Sequence, residues 1–389
     1  MNIAVGTSTW SLEIPEGKQI LLARGGEEPR DPRNLVREAL ESPFHFEPMR
    51  RATTPDDRVA VVLDANLPHA AALLAGVFDH LATANIPPAA ASVIVPPGAR
   101  EAWIDDLPDE FADVTVETHN PDDRKKLAYL ATTQGGRRVY LNRTLVESDF
   151  IIVLSGRRFD PVRRHAGAEV AIHPDLADAE IRAANAGPYS KQNPWGGAEE
   201  SREVAWLLGT PFLVQAIEGH GDTVEQVVAG LLDSSEEGRK AQDARWKFEL
   251  NEKADAAIAT ISGSPDRLTF ADFANAAATA TRCVRPGGRV AVLAEAAPEL
   301  GEGASLIRRM DEPKWSAKFA TPDWAACRRW CYAASHAGLF LASGLDDEIV
   351  EELFATPLSS PAEVQRLVSS AASVVVIPDA HKARVEVKE

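Results

Sequence analysis

Short hydrophobic runs alternate along the chain with segments of helical spacing. Residues 59–63 form a continuous, β-branched run, which is typical of a strand buried on both faces of a sheet. Residues 68–82 follow it with Leu, Val and Phe side chains on one helical face. Further strands are predicted at 92–95, 150–154 and 212–217. This alternation indicates an α/β protein with largely parallel sheets and right-handed crossovers.

A second series of strands begins after a charged helix predicted at 234–250. The strands are predicted at 256–261, 290–293 and 373–377, with a helix at 270–283 and a tight turn at 285–289. We therefore predict two domains, residues 1–248 and 249–389, and allow for the last strand or tail to return to the first. Ligands of such sheets bind beyond the carboxyl ends of strands, so we expect an inter-domain cleft.

Composition and charge exclude several classes of function. The 389 residues carry a formal charge of −17, and so acidic a surface repels nucleic acid. No apolar run approaches the roughly 20 residues of a membrane span, and no secretory signal is visible, so we expect a cytoplasmic protein. Three cysteines give no disulfide framework. Cys327 and Cys331 are spaced to share one helical face, but we expect them to pack as apolar groups and predict no metal site.

Two polar positions follow predicted strands. Asp64 comes directly after a buried strand, where it contacts a ligand or caps the next helix. His119 lies in a loop between Glu117 and Asp122, and the neighbouring carboxylates would raise its pKa, as a general acid requires. The alternative for the acids of this loop is capping of the helix that follows.

The segment after the strand at 150–154 is the most polar of the post-strand loops. Guanidinium groups at this position could clamp a carboxylate or phosphate, and Asp160 and His165 could exchange protons with a ligand. No third metal ligand stands at a suitable spacing to His165 and His173. The arginines of this segment are Arg157, Arg158, Arg163 and Arg164, and Arg100 follows an earlier predicted strand.

Segments across nearly the whole chain resemble, in order and spacing, the nickel-pincer lactate racemase family. Those at 127–133, 139–143 and 146–149 are the most similar to the family's own motifs. In chain order the resembling segments are 14–17 (IPEG), 63–68 (LDANLP), 119–122 (HNPD), 127–133 (LAYLATT), 139–143 (VYLNR), 146–149 (VESD), 263–265 (GSP), 286–288 (PGG) and 376–379 (VIPD). The resemblance implies a two-domain α/β fold that interconverts 2-hydroxy-acid stereoisomers through a nickel-bearing pyridinium nucleotide tethered to a lysine.

Most positions that would carry that chemistry hold other residues. Leu67 stands at the arginine of the D-x-T-R-P loop, although Asp64 is kept. Ala99 and Asp160 stand at the two histidine bases. Val170, or Glu169 in a shifted register, stands at the tether lysine, and Ala186 at the nickel ligand. The Y-Q-x-x-K motif of the second domain falls on Ala271, Asp272 and Asn275.

We therefore predict a divergent lactate racemase-family protein that is not an active racemase and carries no nickel-pincer cofactor. Its expected partner is a small anion in the inter-domain cleft, contacted by Asp64, Arg100, Arg157 and Arg158. Two alternatives stay open. One is a non-catalytic protein that binds a small anion or nucleotide, and the other is a different reaction that uses Asp64 with the catalytic candidates His119, Asp160 and His165.

Overall fold

The computed structural model describes residues 1–25, 29–64, 66–99, 101–160, 164–186, 197–316 and 321–388. Within these residues the strands are β1 (Asn2–Val5), β2 (Ser8–Ser11), β3 (Gln19–Leu21), β4 (Val59–Leu63), β5 (Ala91–Val95), β6 (Thr115–Thr118), β7 (Leu127–Thr132), β8 (Arg138–Asn142), β9 (Phe150–Gly156), β10 (Arg158–Asp160), β11 (Arg164–Ala166), β12 (Phe212–Glu218), β13 (Val224–Gly230), β14 (Lys247–Leu250), β15 (Ala254–Thr260), β16 (Val284–Leu293), β17 (Gly338–Ala342), β18 (Thr356–Pro357), β19 (Val374–Ile377) and β20 (Arg384–Val387). The helices are α1 (Pro32–Glu41), α2 (Ala70–Thr83), α3 (Arg143–Glu147), α4 (Ala179–Ala186), α5 (Gly197–Leu207), α6 (Ser234–Trp246), α7 (Phe270–Arg282), α8 (Glu302–Ile307), α9 (Trp324–His336), α10 (Asp347–Glu352) and α11 (Pro361–Ser369).

The first large sheet has the strand order β13-β12-β9-β4-β5-β6. Neighbouring strands are parallel except β13, which runs antiparallel to β12. All five residues of β4 are buried, as its hydrophobic run predicts. Val59, Val61 and Leu63 pack with α1 and α2 on one face, and Ala60 and Val62 pack on the other. Both faces of this sheet are therefore covered.

The second large sheet has the order β18-β17-β16-β15-β19-β3, and all of its pairings are parallel. The edge strand of this sheet, β3, comes from the start of the chain. Ile3 and Val5 of β1 pack on one face of the sheet against Ile258 and Val374. The predicted division into residues 1–248 and 249–389 assigned these first residues to the other domain. Residues 19–21 belong to the second sheet, because β3 pairs in parallel with β19 at its edge.

The prediction of an α/β protein with two largely parallel sheets is confirmed. Two local predictions differ from the structure. The charged helix ends at Trp246, and the next residues form β14, which pairs with β20 near the end of the chain. The expected turn at 285–289 lies inside β16, where the register against β15 jumps between Ala254 and Ala256. The carboxyl ends of β12, β15 and β19 contact one another between the sheets.

Candidate functional site

A buried carboxylate lies at the centre of the contact between the two sheets. Glu218 ends β12 and is 3% exposed. Its Oε1 accepts from Arg158 Nε at 2.8 Å, and Arg158 Nη2 lies 2.7 Å from the same oxygen. Its Oε2 lies 3.2 Å from Lys382 Nζ and 3.5 Å from Arg267 Nη2, two groups of the second domain. We call Asp64, Arg158, Glu218, Arg267 and Lys382 the cleft cluster.

The charges of the cleft cluster are matched within it and by one neighbour. Burial alone would raise the pKa of the Glu218 carboxyl, but the positive charges of Arg158, Lys382 and Arg267 outweigh burial and hold that pKa well below its usual range. Arg267 also forms an ion pair with Asp222. Asp64, Glu218 and Asp222 thus supply three carboxylates for the three cations, and the two sheets are joined by charge pairing.

Asp64 combines the two roles that the sequence left open. Its Oδ1 accepts from the Asn66 backbone N–H at 3.1 Å, which stabilises the turn before α2. Its Oδ2 lies 3.3 Å from both the Gly156 N–H and Arg158 Nη1. The residue is therefore a turn residue and a member of the cleft cluster.

A second buried carboxylate connects the sheets beside the cluster. Asp379 follows β19 and is 1% exposed. Its Oδ1 accepts from the backbone N–H and the Oγ of Ser262 at 2.8 and 2.7 Å. Its Oδ2 lies 2.8 Å from His220 Nδ1, on the loop after β12. Burial would raise the pKa of Asp379, but the hydrogen bond from His220 and the charge of Lys382 lower it.

Several buried polar atoms of the second domain have no hydrogen-bond partner in the part of the chain that the structure describes, and three of them concern the polar side chains considered next. They are Nε of Arg267, Nδ1 of His381 and Oδ1 of Asn275. Burial and the charge of Lys382 lower the pKa of His381, so its imidazole is neutral near pH 7 and either donates or accepts at Nδ1. Arg267 offers a donor and Asn275 an acceptor. Unsatisfied buried polar groups are rare in proteins, so Arg267 and His381, which lie beside Glu218 and Lys382, can receive a ligand that bonds to both.

Arg157 and Arg158 are neighbours in sequence, but the structure does not bring them together as a clamp. Arg157 is 5% exposed. Its Nη2 donates to the backbone carbonyl and the Oγ of Ser235 at 3.1 Å each, and its Nη1 lies 3.8 Å from Glu169. The predicted clamp residue Arg157 thus contacts α6 and its neighbours rather than the cleft cluster.

His119 is also separate from the cleft cluster. It follows β6, which is two strands away from β4 and Asp64. The side chain is 2% exposed, and Nε2 lies 2.9 Å from the Ala177 carbonyl. The predicted rise of its pKa is wrong, because burial lowers the pKa more than Glu117 raises it.

Several predicted site residues fall outside the described part of the chain. Arg100 and Arg163 are among them, as are the side chains of Asp160, Arg164, His165 and Ala186. The backbone of β10 and β11 forms a hairpin that pairs Phe159 with His165 and Asp160 with Arg164. Asp160 and His165 therefore lie on one hairpin, and their chemical roles stay predictions.

The positions that the resemblance assigns to the cofactor are apolar or already bonded. Val170 is 7% exposed, within a short helical turn at 168–171. Glu169 accepts from Ser235 Oγ at 2.9 and 3.1 Å. Neither can form the linkage that a lysine makes. No group of three His, Cys, Asp or Glu side chains within the described residues is arranged to hold a metal ion.

The sequence reasoning did not identify most of the cleft residues. Glu218 directly follows a predicted strand, as Asp64 does, and His220, His381 and Lys382 come three to five residues after one. Their position just after a strand indicates a possible site residue, because the carboxyl ends of parallel strands lie at one edge of the sheet. Reading every polar residue after every predicted strand would have found them.

Comparison with known proteins gives the family and the fold. Residues 5–184 match the family described as the lactate racemase N-terminal domain. The fold resembles the lactate racemase apoprotein from Thermoanaerobacterium thermosaccharolyticum with a TM-score of 0.80 at 15% identity, over 99% of this chain and 100% of that one. A Thermotoga maritima protein solved by a structural genomics consortium gives a TM-score of 0.66 at 11% identity, over 93% and 100%.

No curated protein sequence matches the chain. No helix within the described ranges is long and apolar enough to cross a membrane. The profile match over residues 5–184 confirms the resemblance that the motifs indicate, and the structural match extends the shared fold to both sheets. Residues 5–184 thus match the lactate racemase N-terminal domain family, and both sheets share the fold of a lactate racemase apoprotein.

Proposed function

We propose that this protein binds a small hydroxy acid in the cleft between its two sheets, without a lysine-tethered nickel-pincer nucleotide. The observation that carries the proposal is the pair of unpartnered buried atoms on Arg267 and His381, beside Glu218 and Lys382 of the cleft cluster. A carboxylate accepts from Arg267, and a hydroxyl group can bond to His381. This complement of groups fits the class of substrate on which the family acts.

The residues present do not fit the family cofactor. A valine that is 7% exposed at the tether position has no nucleophilic atom, and the adjacent glutamate is bonded to Ser235. We therefore propose no reaction step through nickel or the pyridinium ring. The activity proposed is binding, in a protein descended from racemases.

A nucleotide is the less favoured ligand of the same cleft. The cations of the cleft cluster are matched by Asp64, Glu218 and Asp222, so a polyphosphate would have to displace carboxylates from them. A ligand with one negative charge needs less rearrangement. A different reaction that uses Asp64 together with His119 is disfavoured by the two strands that separate β6 from β4.

The cofactor part of the proposal is tested by intact mass and nickel analysis of the full chain. The protein is co-expressed with the enzymes that make the nickel-pincer nucleotide. We expect the mass of the unmodified chain and substoichiometric nickel. A covalent nucleotide adduct with stoichiometric nickel would contradict the proposal.

The ligand part is tested by calorimetric titration of the full chain with lactate, and with propionate, which lacks the hydroxyl group. We expect saturable binding of lactate that is at least about tenfold tighter than that of propionate, since a missing hydroxyl leaves buried polar groups unpaired. His381→Ala is expected to abolish the difference. His336→Ala, at an exposed histidine on α9, is the matched control. Equal binding of the two acids would show that the cleft does not recognise a hydroxy acid.

A further inference from the structure

A separate cavity of about 520 Å³ lies between α1 and α6, beside the edge strand β13. Its lining includes apolar side chains such as Leu35, Ile217 and Val227. Five charged residues complete the wall: Arg24, Arg30, Glu38, Glu225 and Arg245. The volume is within the range of cavities that hold small metabolites. Among these lining residues there is no member of the cleft cluster.

Arg245, in the last turn of α6, is the unusual member of this wall. Its side chain is 8% exposed. Its Nη1 donates to the Arg24 carbonyl at 3.1 Å, and its Nε lies 2.8 Å from Glu225 Oε2 without hydrogen-bond alignment. Its Nη2 is buried and has no partner in the described ranges. A buried guanidinium donor without an acceptor is costly, which indicates that an acceptor binds there.

The charge around Arg245 favours an anion. Arg24 donates to the backbone carbonyls of Asp243, at 3.3 Å, Ala244 and Lys247, so its bonds are to neutral groups. Arg30 pairs with Glu38 at the surface. The wall thus has three cations and two carboxylates in a protein whose net charge is −17. Such a local excess attracts anions to this cavity.

We propose that the cavity beside Arg245 binds a small organic anion through a carboxylate or a phosphate group. The Nη2 of Arg245 donates to the anion, and Arg24 and Arg30 at the mouth add to the attraction. Planar guanidinium groups bind both kinds of oxyanion. This site is distinct from the proposed hydroxy-acid cleft, and neither proposal depends on the other.

Calorimetric titrations with inorganic phosphate and with acetate, each at constant ionic strength, test the site in the full chain. We expect saturable binding of at least one anion, and the stronger of the two identifies the group recognised. Arg245→Gln is expected to weaken that binding by about tenfold or more. Arg51→Gln, at an exposed arginine that pairs with Glu47 and does not line the cavity, is the matched control and is expected to change it by less than about threefold. His381→Ala, in the cleft, is expected to leave it unchanged.

Glu225→Gln keeps the test decisive if Arg245→Gln fails to fold. This variant retains the guanidinium and removes the carboxylate nearest to it, so anion binding is expected to become about three- to tenfold tighter. The proposal would be overturned by the absence of saturable binding of either anion. It would equally be overturned by unchanged affinity in Arg245→Gln or by unchanged or weaker affinity in Glu225→Gln.

Discussion

Two regions of the molecule, the cleft cluster and the segment 168–178, differ in polarity. The cleft cluster is charged and buried at its centre, Glu218 and Lys382, and each of its carboxylates has a cation beside it. The segment 168–178 is largely buried and has no cation of its own at neutral pH, with Ala168, Val170 and Ile172 in the hydrophobic core. Apolar side chains of the segment 168–178 thus belong to the core, while the cleft keeps polar groups.

We expect the cleft cluster to be destabilised by the removal of a charge, and the segment 168–178 to be destabilised by the addition of one. In the cleft cluster, removing one charge leaves its partners buried and unpaired. In the second region, His173 is 1% exposed and neither ring nitrogen has a partner within the described residues. Burial lowers the pKa of His173 to about 4. Adding a proton there places a charge in the core.

Glu218→Ala is expected to give the largest effect. It leaves Arg158, Lys382 and Arg267 without the carboxylate that they share. Breaking a buried ion pair from one side costs about 3–5 kcal/mol, so we expect a loss of about 4 kcal/mol in the free energy of unfolding, measured by urea denaturation. Glu249→Ala, at an exposed pair with Lys388, is the control and should change little. A small loss in Glu218→Ala would show that the cluster does not join the sheets.

Acid is expected to destabilise the second region. The unfolded pKa of histidine is about 6.5, and the folded value for His173 is about 4. Because the folded pKa is the lower one, the contribution of His173 to the free energy of unfolding is fully present above pH 6.5. That contribution is lost as the pH falls from 6.5 towards 4. Linkage gives a loss of about 2 kcal/mol at pH 5 from this residue.

This loss is measured from the free energy of unfolding at pH 7.5 and pH 5. His173→Leu should remove about 2 kcal/mol of the difference between the two pH values. His336→Leu, at an exposed histidine, is the control and should retain the full difference. An unchanged difference in His173→Leu would show that this imidazole does not take up the proton on unfolding.

Hydrophobic patterning predicted most of the fold. The run at 59–63 identified β4 because both faces of that strand are covered, so no polar residue interrupts it. The pairing of β3 with β19 joins residues 19–21 to residues 374–376. No local pattern records a contact so distant in sequence, so the predicted division at residue 248 placed the first strands in the other domain. The helix predicted at 234–250 was too long for the same reason, since β14 forms by pairing with β20.

The candidate site was less predictable because its residues come from distant strands. Asp64 and Arg158 could be proposed from their position after strands, and the structure joins them at 3.3 Å. Arg157 has the same signal in the sequence, yet its side chain contacts Ser235. Which of two adjacent arginines enters a cleft depends on the direction of each side chain from the backbone. Composition and spacing do not contain that information at the end of a strand.

Asp64→Asn should give the smallest effect and so separate the rim of the cleft cluster from its centre. The side chain of Asp64 is 23% exposed and that of Arg158 is 34% exposed, so water screens their attraction. Arg158 keeps Glu218, and an asparagine oxygen can still accept from the Asn66 N–H. We expect a loss of about 1 kcal/mol in the free energy of unfolding. Asp149→Asn, at the surface pair with Arg58, is the control and should have a smaller effect. A loss equal to that of Glu218→Ala would place the centre of the cluster at Asp64, and the charges would then be held together from the loop after β4 rather than from the end of β12.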